Sequence, residues 1–125
     1  MQQLALVCLG GAIGSGARYL VAMGAVRWIG VDFPWGTLAV NLAGAFLIGL
    51  VQELAGARML SESSRLLLST GLLGGLTTYS AFSFETVRLV EAGAWRAAGL
   101  NVIVTTVLCL ALCAAGIAAG RTLSR

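Results

Sequence analysis

The sequence predicts an all-α integral membrane protein. Each subunit has four transmembrane helices with the third one broken, and two subunits form an antiparallel dual-topology homodimer. Three observations predict this. Of the 125 residues, 58% are hydrophobic and only 10% charged, with a mean hydropathy of +0.93, whereas a soluble domain carries about 25% charged residues. Spans of about 20 residues joined by short loops fill the length with four passages and leave little for a soluble domain. The arginines divide almost evenly between the two ends of such a bundle, so insertion has no preferred direction.

Composition also excludes function classes. All eight basic residues are Arg, and they are scattered, so the net charge of +3 builds neither a nucleic-acid patch nor a polybasic lipid-binding cluster. The bilayer is the partner, and no nucleic acid is expected. Histidine is absent, which removes the commonest general base and metal ligand. No Ser–Lys or paired-aspartate arrangement is available, so an enzyme is not expected. Cys8, Cys109 and Cys113 fall inside predicted spans at spacings that match no zinc motif or disulfide framework, and they read as small apolar packing residues.

Span one covers about 3–28. No basic segment precedes it, so it reads as a retained span rather than a cleaved signal. Gly10 and Gly14 form a GxxxG pair suited to close helix approach. Arg18 follows. An Arg at the helix centre costs at least about 2.5–3.5 kcal/mol, so it either snorkels to the interface or faces a polar cavity as an attractor of anions.

A loop at 29–35 ends on Pro34–Trp35, and Pro34 helps start span two, about 36–55. Thr37, Asn41, Gly44 and Ile48 recur at i, i+4, i+7 and i+11, a polar-to-small stripe on one face. Mid-span Asn41 either bonds a neighbouring helix or offers its amide to a passing ion.

The loop at 56–64 is the most polar part of the chain. Span three, about 65–90, contains GLLGGLTTYSAFSFE at 71–85, which crowds glycines, hydroxyls, aromatics and a carboxylate into an apolar segment. Each glycine weakens a helix by about 1 kcal/mol relative to Ala, which predicts a break near Gly74–Thr78. Beyond it, Tyr79, Phe82, Ser83 and Thr86 share a face at i, i+3, i+4 and i+7 and read as the lining of a path for a small ion. Glu85 lies about 10 Å past the break at membrane depth, and Arg88 at i+3 is the local candidate to pair with it. Span four, about 97–120, places Asn101, Thr105 and Cys109 on one face and ends in the Gly116–Gly120 pair.

With four spans, Arg58, Arg65, Arg121 and Arg125 lie on one side and Arg27, Arg88 and Arg96 on the other. This near balance predicts insertion in both directions and pairing about a two-fold axis in the membrane plane.

Three ordered motifs, GGAIGSGARY at 10–19, GTLAVNLAGAFLIG at 36–49 and GGLTTYSAFSFE at 74–85, resemble the Fluc (CrcB) fluoride channel family, and the resemblance spans nearly the whole chain. It implies a dual-topology dimer with two parallel fluoride pores in the bacterial inner (plasma) membrane. It also implies a central structural sodium ion held by the backbone carbonyls of Gly74 and Thr77. By the same resemblance the pore aromatics fall on Tyr79 and Phe82, the pore asparagine on Asn41, the motif serines on Ser80 and Ser83 and the threonine opening span two on Thr37. The motif glutamate falls on Glu85 and the vestibular arginine on Arg18. Asn101 and Thr105 are assigned to a polar track in span four. Tyr79 stands where the family usually carries Phe, and its hydroxyl adds a donor that needs a partner.

The function this implies is passive fluoride export conferring fluoride resistance. A small multidrug-resistance-type proton-coupled transporter is the alternative. Such transporters rely on a carboxylate in mid-span one, where this chain has none.

Overall fold

The computed structural model describes residues 1–125, and every regular element in it is helical. Three helices are long and apolar enough to cross a membrane: α1 (Gln2–Trp28), α2 (Trp35–Gly56) and a C-terminal helix, Trp95–Leu123. Another passage runs between α2 and the C-terminal helix and is made of pieces. A short α3 (Glu62–Arg65) leads into a wide-turned π-helical segment (Leu66–Leu73), then α4 (Gly74–Leu76), and after an interruption α5 (Tyr79–Glu91). The C-terminal helix is α6.

Local chemistry sets the ends. Ser61 caps α3 by accepting the Ser64 N–H at 3.1 Å, and Thr78 caps α5 by accepting the Ala81 N–H at 3.1 Å. Gly30 and Gly93 follow the ends of α1 and α5 with φ of 113° and 75°, left-handed conformations that glycine adopts without strain.

Two glycine interlocks hold the helices together. A Cβ on Gly10 would lie 2.5 Å from the Leu67 carbonyl oxygen, and one on Gly14 would meet the Leu72 carbonyl, so α1 lies directly against the π-helical segment. Gly49 and Gly116 do the same for α2 and α6, facing the Cys113 and Phe46 carbonyls. In lipid there is no water to drive helices together, and close backbone packing of this kind supplies the association. Only 18 of the 125 residues are buried, while Leu4, Leu20, Leu100, Ile103 and Leu110 are all more than half exposed. An apolar exterior of this extent suits a bilayer as solvent.

The polar ends of the bundle are tied separately. Gln3 donates to Glu62 at 3.4 Å and Arg121 to Glu53 at 3.3 Å, which puts the N-terminus, the loop after α2 and the C-terminus at one end. Arg27 over Trp28 and the Arg88–Glu91 pair mark the other end.

A candidate ion pathway at the helix break

The interruption falls at Thr77 and Thr78, both extended, with ψ of 154° and 115°. Glycine content points to Gly74–Thr78, yet Gly74 itself remains helical (φ −63°, ψ −36°). Gly75 serves close approach instead, since a Cβ there would lie 2.5 Å from the Gly11 carbonyl oxygen. The break comes from side chains that replace backbone partners.

Asn41 makes the largest replacement. Its Oδ1 accepts the Thr78 N–H at 2.8 Å and its Nδ2 donates to the Thr78 carbonyl at 3.0 Å. The Thr78 hydroxyl accepts the Ala81 N–H and shares a 3.1 Å hydrogen bond with Ser80 Oγ. Thr77 Oγ1 donates back to the Leu73 carbonyl at 2.9 Å. Two carbonyls therefore lose their helical donors. The i+4 donor of Gly74 is the Thr78 N–H, now on Asn41, and that of Thr77 is the Ala81 N–H, now on the Thr78 hydroxyl. The Gly74 carbonyl has no other donor, and the Thr77 carbonyl accepts one long bond, from Arg18 Nη1 at 3.4 Å.

Around the break lies a groove of about 530 Å³, lined among others by Asn41, Gly74, Thr77, Tyr79, Phe82 and Thr105. The Tyr79 and Phe82 rings are 5.3 Å apart and tilted by 45°, within the range of edge-to-face aromatic pairs. Phe82 is 8% exposed and Tyr79 80%, so the first belongs to the subunit interior and the second projects out of it. The Tyr79 hydroxyl makes no hydrogen bond within the subunit. Ser83 Oγ donates to the Tyr79 carbonyl at 2.9 Å.

Asn101 sits behind this groove and forms a strut with Thr105 in its lining. Asn101 is 1% exposed, its Nδ2 donating to Thr86 Oγ1 at 2.9 Å while its Oδ1 accepts from Thr105 Oγ1 at 3.3 Å. Thr86 in turn donates to the Phe82 carbonyl at 2.7 Å, so α6 is linked by polar contacts to the residue that carries the buried ring.

Thr37 and Glu85 form a second polar point. Thr37 Oγ1 donates to Glu85 Oε1 at 2.8 Å, and both line a separate cavity of about 360 Å³ with Gly36, Phe84 and Arg88. Glu85 Oε2 is buried without a partner. The expected Glu85–Arg88 pair does not form. Arg88 lies three residues from Glu91 as well as from Glu85, and it pairs with Glu91 at 2.9 Å where both side chains are exposed. Glu85 is turned instead toward the first turn of α2.

Asn41, Tyr79, Phe82, Thr105 and the Gly74–Thr77 backbone thus meet at one groove. Arg18 and Ser80 bond groups at its rim, Asn101 stands behind it, Ser83 lies outside its lining and bonds the Tyr79 carbonyl, and Thr37 with Glu85 occupies the neighbouring cavity. Thr78 and Thr106 were not singled out from sequence. Thr78 carried a legible signal as a hydroxyl residue directly before a helix. Cys109 also lines the groove, beside Thr105 on the face that their spacing gives, and its thiol is free.

Comparison with known proteins places the chain. A family profile described as "CrcB-like protein, Camphor Resistance (CrcB)" matches residues 5–117. A relative from Agrobacterium fabrum named "Fluoride-specific ion channel FluC" is 49% identical over 124 residues, which is 98% of this chain and 99% of the relative. One of the same name from Geobacter sulfurreducens is 48% identical over 124 residues, 98% of this chain and all of the relative. Another from Chelativorans is 56% identical over 99 residues, 78% and 79% of the two chains. These relatives are named as ion channels and not as enzymes. With the profile and the near-full-length relatives in agreement, this chain belongs to the CrcB-like protein family.

Proposed function

We propose that the chain is a fluoride-selective passive channel of the bacterial plasma membrane, exporting cytoplasmic fluoride and so giving fluoride resistance. The observation that carries this reading is the groove at the break, read beside the relatives' shared name. Fluoride is small and holds its water tightly, so a pathway must offer hydrogen-bond donors in place of water. Thr106 lines the groove with a hydroxyl that makes no hydrogen bond within the subunit, whereas the Thr105 hydroxyl is given to Asn101, and Asn41 keeps one amide N–H beyond the one it gives to Thr78. The rims of the Tyr79 and Phe82 rings add positive edges. Such donors are individually weak, which lets an ion leave as well as enter. Arg18 raises the local anion concentration near the break. A potential negative inside drives an anion outward by about 2.3 kcal/mol per charge per 100 mV.

The reading includes an antiparallel dual-topology homodimer with two pores. An exposed Tyr79 at the rim of an open groove supports a second subunit completing the wall, and the near balance of arginines supports the antiparallel pairing. It also includes a structural sodium ion. The donor set fits a hard monovalent cation: the Gly74 carbonyl lacks any donor, and the Thr77 carbonyl keeps only the long Arg18 bond. A cation there supplies positive potential to the pathway and satisfies carbonyl dipoles released by the break.

The test is anion efflux from liposomes holding the purified protein. Rapid fluoride loss with chloride retained is the expected result. Loss of both anions rejects selectivity, and retention of both by folded protein in sodium rejects the channel.

A further inference from the structure

We infer that Asn41 and Thr78 are positioning residues for the cation site, because each diverts a backbone N–H that would otherwise close on one of its carbonyls. This rests on the reading of Gly74 and Thr77 as cation ligands.

A continuous helix would bond the Thr78 N–H to the Gly74 carbonyl and the Ala81 N–H to the Thr77 carbonyl. Both hydrogen bonds are replaced, one by Asn41 Oδ1 at 2.8 Å and the other by Thr78 Oγ1 at 3.1 Å. These are the two carbonyls proposed as ligands, and no other side-chain acceptor in the structure takes a backbone N–H of the break. Glycine does not explain the interruption, since Gly74 is helical and the residues that leave helical geometry are threonines. Buried N–H groups in a membrane must have an acceptor. An acceptor supplied from α2 keeps the break open, and its removal leaves the N–H its own helical carbonyl as the nearest alternative. Asn41 also lines the groove, so one amide joins the ion path to the carbonyl site.

The experiment is sodium-dependent thermal unfolding of the full-length protein in detergent, with sodium replaced by N-methylglucamine at constant ionic strength. Thr78→Val keeps the shape of the side chain and removes the acceptor, Thr78→Ser keeps the acceptor, and Asn41→Leu removes the other one. In the Val and Leu variants the sodium needed for half-maximal stabilisation should rise about 10-fold to 100-fold, the usual effect of losing a group that orients a metal ligand. The Ser variant should track the unsubstituted protein. Should Thr78→Val not fold, Asn41→Leu gives the same comparison. An unchanged sodium response in a folded Val or Leu variant overturns the inference. Indifference of the unsubstituted protein to sodium overturns the cation reading beneath it, a separate result.

Discussion

Asn41 on α2 and Thr78 at the break face each other through a two-point contact, the Asn41 amide accepting from and donating to the same residue's backbone at 2.8 and 3.0 Å. One side chain thus takes the place of two helical hydrogen bonds in the middle of a membrane passage.

Asn41→Ala removes both partners of the Thr78 backbone, leaving its carbonyl unpaired and its N–H only the Gly74 carbonyl to turn to. An unsatisfied buried polar group costs about 1–3 kcal/mol, so the variant should melt measurably lower than the parent protein, and its fluoride efflux should fall. An unchanged melting point would mean that the contact is not maintained in the bilayer protein.

Phe82 and Tyr79 should separate in their effects. Phe82→Ile removes the buried ring and should strongly reduce fluoride efflux while gel filtration still shows the assembled protein. Tyr79→Phe removes a hydroxyl without a partner in the subunit, so stability should stay within about 0.5 kcal/mol. A large destabilisation by Tyr79→Phe would instead place that hydroxyl in a hydrogen bond across a subunit interface.

Gly14→Ala pushes a methyl group into the Leu72 carbonyl. Overpacking of this sort costs about 1–3 kcal/mol, and denaturation should show it. Gly16, two residues on, has nothing within 4 Å of an added Cβ. Gly16→Ala is the matched control, expected to leave stability unchanged or raise it by up to about 1 kcal/mol.

The Asn101–Thr86 hydrogen bond should be a modest one. Polar pairs between membrane helices average about 0.6 kcal/mol in double-mutant cycles, and a cycle of Asn101→Leu with Thr86→Val should give a coupling of that order. If the strut also positions Phe82, the double variant should lose no more fluoride flux than the worse single one.

Dual topology has a direct readout. A tag on the C-terminus should be reached from both faces of the membrane in roughly equal shares, because the arginines leave insertion undecided. Tags confined to one face would exclude the antiparallel pairing. Adding two Arg to the loop before Pro34 should bias that distribution.

Much of this protein is legible in its residues. The apolar composition and the spacing of polar loops lead to an all-helical membrane protein, and three motifs lead to its family. The interruption of the third passage is legible as well, from glycines and hydroxyls placed where an anchor needs neither. Its position is less so. Gly74 and Gly75 look like the breaking residues, yet they stay helical and Gly75 serves the approach of α1. The partner of Glu85 is also hidden, because Arg88 stands three residues from two carboxylates and local spacing cannot choose between them.

Residue chemistry alone was enough for the solvent and the class of fold, because hydropathy is a property of each position. The tertiary structure alone decided which backbone groups are free. That depends on Asn41, 37 residues away from Thr78, being brought within 3 Å of it. A donor captured by a side chain on another helix leaves no trace in local spacing, and the carbonyl it leaves behind becomes available only when the helices pack.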